Sequence, residues 1–157
     1  MARKSKMNAH LLVEGANDLH VISHLCQAHN VAETFDILTP PKSGQAAGGD
    51  IQVLRNLRVQ LLAKGKRAIG VVLDADEDLT RRWQQLIHII EGFGYTVAPQ
   101  PNPMGTIISA PHAHQPTVGI WLMPNNQTVG NLEDFIRYLI PTDDQLRPWL
   151  FRNLLQT

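Results

Sequence analysis

Glu14 and Asp18, Asp74 and Asp76, and Glu133 beside Asp134 stand in three short acidic clusters, each following an apolar run. The runs cover residues 10–13, 68–73 and 119–123, and all three read as β-strands. In an open α/β sheet, chemistry gathers beyond the carboxyl ends of the strands. Carboxylates delivered there from separate strands repel one another unless a cation lies between them, and hard oxygen ligands suit Mg²⁺ or Mn²⁺. The pattern points to metal-dependent phosphoryl transfer, with ions polarising a phosphate and a carboxylate moving the proton.

Each cluster also has a purely local explanation. Glu14 and Asp18 are four residues apart and share a helix face, and acids in a first helical turn gain from the helix dipole. Glu14 is the harder of the two to explain that way, because Glu14-Gly15 puts a carboxylate on a tight strand-to-helix turn. Asp74 and Asp76 flank one small residue, so both can turn towards one ion; the local alternative is an acidic loop with Asp78 as helix cap. At Glu133, capping and metal binding stand side by side: Asn131 is a good cap, with Glu133 and Asp134 in the first turn. Asp134 reads as structural.

The elements that would position these acids alternate. Strands are expected at 10–13, 34–38, 67–73 and 118–123, with a strand-like stretch at 95–98 and a short edge strand at 106–109. Helices are expected from Gly15 to about residue 30, from an Asp50 cap to about 64, and from 78 or 80 to 91. Two more should run from 131 to about 140 and over 142–155. Ile51, Leu54, Leu57 and Leu61 repeat at helical spacing. Pro40, Pro41 and the glycines of 44–49 mark a flexible loop. The β-branched run at 67–73 is that of a strand covered on both faces. Alternation of this kind implies right-handed crossovers, a mostly parallel central sheet flanked by helices, and one Rossmann-like α/β domain over 9–157 behind a basic leader at 1–8.

Composition sets the outer bounds. The 157 residues suit one domain, and 43% apolar with 18% charged residues is globular. No apolar stretch approaches the roughly 20 residues of a membrane helix, so no membrane partner is expected. Cys26 is the single cysteine, so no internal disulfide can form, and a reducing cytoplasm is the expected compartment. Net charge is zero, yet 8 of the 14 acids lie in the three clusters, Glu77 and Asp78 included. Elsewhere the 14 basic residues outnumber the remaining acids, a distribution that could accept a polyanion at a metal-loaded site.

Val13-Glu14-Gly15-Ala16-Asn17-Asp18 with Leu73-Asp74-Ala75-Asp76, about 60 residues on, resembles the TOPRIM domain of topoisomerases, bacterial primases and OLD-family nucleases. The resemblance covers roughly 9–140. It implies Glu14 as general acid or base and Asp74 and Asp76 as ligands of Mg²⁺ or Mn²⁺. Asp18 would match the acid that OLD-type members add to the first motif. The segment 119–126 and the element Gly130-Asn131-Leu132-Glu133-Asp134 are similar to stand-alone bacterial TOPRIM-like proteins, and imply Glu133 as a further metal ligand. Two features depart from the pattern. Lys66 is the last lysine, so the lysine that OLD-type nucleases carry beyond this region has no counterpart, and no G-x-x-x-x-G-K-[ST] loop is present.

The expected function is that of a metal-dependent, nuclease-like hydrolase acting on nucleic-acid phosphodiesters, DNA ahead of RNA. The rival is a non-catalytic nucleic-acid-binding or regulatory subunit with a protein partner, as in an anti-phage system. A haloacid-dehalogenase phosphatase would want threonine or valine where Asp78 stands. The expected geometry is a solvent-open pocket on which Glu14, Asp74 and Asp76 converge, with Asp18 and Glu133 at its rim. Arg81 and Arg82 are read either as contacts for a nucleic-acid backbone or as a solvated helix face. His20 and His24 read as a surface or packed pair, His112 and His114 as loop residues.

Overall fold

The structure, a computed structural model, describes residues 7–40, 49–145 and 148. Nine elements follow in chain order: β1 (Ala9–Leu12), α1 (Ala16–Ala28), β2 (Asp36–Leu38), α2 (Gly49–Leu62), β3 (Ala68–Asp74), α3 (Leu79–Glu91), β4 (Thr106–Ile108), β5 (Thr117–Met123) and α4 (Leu132–Leu139). The strands form one sheet in the order β2-β1-β3-β5-β4. All neighbours are parallel except β4, which runs antiparallel to β5 at the edge. This is the expected Rossmann-like α/β architecture.

Two apolar layers sandwich the sheet, because successive side chains along a strand point to opposite faces. Ile69, Val71 and Leu73 of β3 and Val118, Ile120 and Leu122 of β5 bury one face against Val53, Leu57 and Leu61 of α2 and Trp83, Leu86 and Ile90 of α3. On the other face Val72 and Met123 join Val13 and Leu132, with Leu19 and Ile22 of α1 and Phe135 and Ile136 of α4 packed on them. Trp121 packs into this second layer as well. Side chains such as Leu73 and Leu122 are fully buried, and each contributes roughly 1.5–3 kcal/mol of apolar transfer free energy.

Several expectations need correction. Residues 95–98 form no strand. Tyr95 and Ala98 are instead spent on tertiary contacts: the Tyr95 hydroxyl donates to the Pro116 carbonyl (2.7 Å) and Trp83 Nε1 donates to the Ala98 carbonyl (3.1 Å). The edge position goes to β4. In α2 the buried positions are Val53, Leu57 and Leu61, whereas Ile51 is 44% exposed. Asp50 lies inside the first turn of α2 rather than before it. The leader residues 1–6, the loop residues 41–48 and most of the helix expected over 142–155 lie outside the described residues. Among the described residues no helix is long and apolar enough to cross a membrane.

Candidate functional site

β1 and β3 are adjacent and parallel, so the residues just past each strand emerge at the same end of the sheet. Glu14 arrives two residues after β1, and its Oε1 accepts a hydrogen bond from the Asp74 backbone N–H at 2.9 Å. The first residue of α2 presses against it: a Cβ on Gly49 would stand 3.0 Å from the Glu14 carbonyl oxygen. Asp18, in the first turn of α1, accepts from the Gly15 N–H at 3.1 Å and is only 7% exposed, so it lies within the wall and not at a rim. Its capping role and its place among the acids therefore coexist.

The segment after β3 is held by backbone pairing to the β5 side. The Ala75 N–H donates to the Met123 carbonyl (3.0 Å), while Asp76 and Gly130 exchange two hydrogen bonds of 2.8 Å. Asp76 thereby sits in the left-handed region at φ 55°, which Asp tolerates better than most residues. Gly130 has φ 139°, and a Cβ there would meet Asp134 Oδ2 at 2.5 Å, so only glycine fits. Asp134 is the structural acid: it accepts from the Asn131 N–H, Asn131 caps α4 in return, and Arg137 pairs with its other oxygen. Glu133 is left half-buried on α4 and faces Asp18 and Asp74 electrostatically.

The resulting field is strongly negative. Asp74 is pushed up to about 8, first by burial and then by Glu14, Asp18, Asp76 and Glu133. Glu14 is pushed up to about 7 by burial; the Asp74 N–H opposes the shift, and Asp18 and Asp76 add to it. Asp18 is raised by burial, against its backbone hydrogen bonds, with Glu133 adding. Asp74 Oδ1 is buried and has no hydrogen-bond partner among the described residues. An orphaned carboxylate oxygen amid four other acids fits a hard cation in charge and donor type. As they stand, however, no three His, Cys, Asp or Glu side chains among the described residues are gathered closely enough to hold a metal ion.

Arg82 explains part of that gap. It is 6% exposed, which removes the reading of a solvated face or a free contact for nucleic acid. Its Nε donates to the Asp74 carbonyl (3.0 Å), Nη1 to Asp50 Oδ2 and Gln85 Oε1 (both 3.0 Å), and Nη2 to Asp76 Oδ2 (2.7 Å). Burial works against the charged guanidinium, but Asp50 and Asp76 outweigh it and raise its pKa. Asp50 in turn is lowered overall, its burial outweighed by the Arg82 hydrogen bond and its own helix N–H contacts. Beside this network lies a cleft of about 800 Å³, walled by Asp50, Glu77, Asp78, Arg81, Gln85 and Asn131. Of the five predicted acids only Asp76 lines it, because the left-handed backbone and Arg82 turn its carboxylate that way.

Asp50, Arg82 and Gln85 form one network that no motif in the sequence announces. One signal was available: Arg82 occupies the buried stripe of α3 with Leu86, Ile89 and Ile90, a spacing that ordinarily carries an apolar residue. His20, His24 and the stacked pair His112 and His114 are exposed on other parts of the surface.

A family model described as "Protein of unknown function (DUF3226)" matches residues 8–156. The chain belongs to that family. No curated protein and no solved structure matches it. The DUF3226 match spans every strand and helix described above, from β1 through α4, so the family and the fold cover the same residues.

Proposed function

We propose that this DUF3226 chain is a TOPRIM-like, cytoplasmic protein that uses Mg²⁺ or Mn²⁺ for phosphoryl transfer on nucleic-acid phosphodiesters, DNA ahead of RNA. The observation that carries the reading is the pairing of Glu14 with Asp74 across the ends of two adjacent parallel strands, with Asp74 Oδ1 buried and unpartnered. Asp74 and Asp76 would hold the ion, with Asp18 and Glu133 completing its negative surroundings. Such an ion, when bound, would supply positive charge to a phosphate oxygen. Glu14 keeps Oε1 on the Asp74 N–H, which fixes the carboxylate plane and leaves Oε2 as the atom to take or give a proton. Arg81, exposed and lining the cleft, would be the group to meet a neighbouring phosphate.

A second reading, a non-catalytic nucleic-acid-binding or regulatory subunit with a protein partner, is favoured by one observation: Arg82 already neutralises Asp76. Incubation of supercoiled plasmid, single-stranded DNA and RNA with Mg²⁺ or Mn²⁺ separates the two. The enzyme reading expects cleavage by the parent chain and a loss of about 10²–10⁴-fold in turnover for Glu14→Gln, with nucleic-acid affinity largely kept. Metal-dependent binding without cleavage by the parent gives the second reading instead.

A further inference from the structure

We infer that Arg82 is the resident counter-cation of the Asp74-Ala75-Asp76 turn, and that Asp76 is handed from its guanidinium to a divalent cation when the site loads. This rests on the metal-site reading above and adds how that site is kept closed. Three of the four hydrogen bonds of the guanidinium go to the Asp74 carbonyl, Asp50 and Gln85, so Arg82 stays anchored when Asp76 leaves. The fourth, from Nη2, is to a carboxylate whose side chain is 53% exposed and therefore has room to rotate. The backbone of Asp76 need not move, since its N–H and carbonyl are both locked to Gly130. Among the described residues no three-acid ligand set is gathered while Asp76 is turned to this internal cation. A planar fork with fixed N–H directions holds a carboxylate in one orientation, which a lysine ammonium does not.

Calorimetric titration of Mn²⁺ into the parent chain, Arg82→Gln, Arg82→Lys and Asp74→Asn tests the hand-over without reference to activity. The expected result is about fivefold tighter Mn²⁺ binding in Arg82→Gln, from loss of a half-exposed ion pair. Arg82→Lys, which keeps the charge and loses the fork, should also bind more tightly than the parent. Equal affinity in parent and Arg82→Lys would assign the effect to long-range charge and overturn the hand-over. Weaker binding in both variants would make Arg82 a positioning residue and overturn it as well. Absence of binding in all four chains removes the metal site itself, and with it the hand-over.

A second measurement needs no variant to fold. In the parent, isotope-labelled arginine side chains are followed by NMR as Mg²⁺ is added. The Arg82 Nη2 protons should shift and exchange faster with water, while the Nε–H on the Asp74 carbonyl keeps its protection. Saturation with Mg²⁺ that leaves Nη2 unchanged overturns the proposal.

Discussion

Asp74 and Asp76 are two residues apart and sit in opposite surroundings. The Asp74 side chain faces other carboxylates, one of its oxygens is buried without a partner, and Arg82 reaches only its backbone carbonyl. Asp76 turns outward onto a buried arginine that Asp50 also holds. On the first side burial and repulsion favour the protonated carboxyl; the second side is neutralised from within. A fold that satisfied only its own stability would place the counter-charge where the repulsion is greatest. Here the guanidinium bonds the Asp76 carboxylate and the Asp74 carbonyl and leaves the Asp74 carboxyl uncompensated.

The sharpest way to break this comparison is to remove the internal cation. Arg82→Ala leaves Asp50 and Asp76 without their partner and empties a buried position. Loss of one member of a buried pair typically costs about 3–5 kcal/mol. A discount is due because Asp50 and Asp76 are partly exposed, so a loss of about 3 kcal/mol in a urea melt is expected. A change under about 0.5 kcal/mol would mean that the network contributes little to the fold.

Supplying the missing cation should act on the other side. A ligand bound only by the folded chain adds RT ln(1 + [L]/Kd), about 2.7 kcal/mol at a hundredfold excess over Kd. Thermal melts in Mg²⁺ or Mn²⁺ should therefore shift upward by several degrees. Asp74→Asn with Asp76→Asn should abolish the shift. A parent melting curve insensitive to millimolar metal would leave the Asp74 side without its proposed occupant.

Proton uptake offers a gentler probe. Glu14 and Asp74 titrate at about 7 and about 8 in the folded chain, against ordinary values of 4.5 and 3.8. Between those limits the folded form holds protons that the unfolded chain has released. By linkage its stability is then highest at the acid end and falls as pH rises from about 4 to about 8. Asp74→Asn should flatten that decline, and saturating Mg²⁺ should flatten it in the parent. A stability profile that rises across this window and ignores Asp74→Asn would contradict the uncompensated pair.

The smallest effect belongs to an acid that lines the cleft beside the Arg82 network. Asp78 caps α3 by accepting from the Arg81 N–H at 2.9 Å. Asp78→Ala should cost about 1 kcal/mol, as for other helix caps. Metal affinity should not change, which separates an acid that serves the helix from those that serve the site. A change in Mn²⁺ affinity beyond twofold would place Asp78 in the metal-binding group after all.

Much of this architecture was legible from local chemistry. The β-branched run at 67–73 is typical of a strand covered on both faces, and Gly92 and Gly94 mark where α3 stops. Asn131 and Asp134 declared a helix start, and the structure uses them as a reciprocal cap. The order of strands and helices then set the crossover topology, which brought Glu14 beside Asp74 without further information. The stretch at 95–98 misleads for the opposite reason. Tyr95 serves the core and the loop around Pro116, and among the described residues the stretch pairs with no strand.

What the sequence determined by itself was most of the elements and the end of the sheet to which Glu14 and Asp74 are delivered, because periodicity and caps act over short stretches of chain. What only the tertiary structure decided was the partner of each charge. Asp50 and Arg82 are 32 residues apart, and their 3.0 Å contact depends on how α2 and α3 pack on one face of the sheet. A guanidinium on an apolar helix stripe gives no hint of which carboxylate it will meet, since Coulomb energy depends on separation in space and not along the chain. The division of Asp74 from Asp76, one left to repulsion and one held by an internal cation, is therefore a property of packing alone.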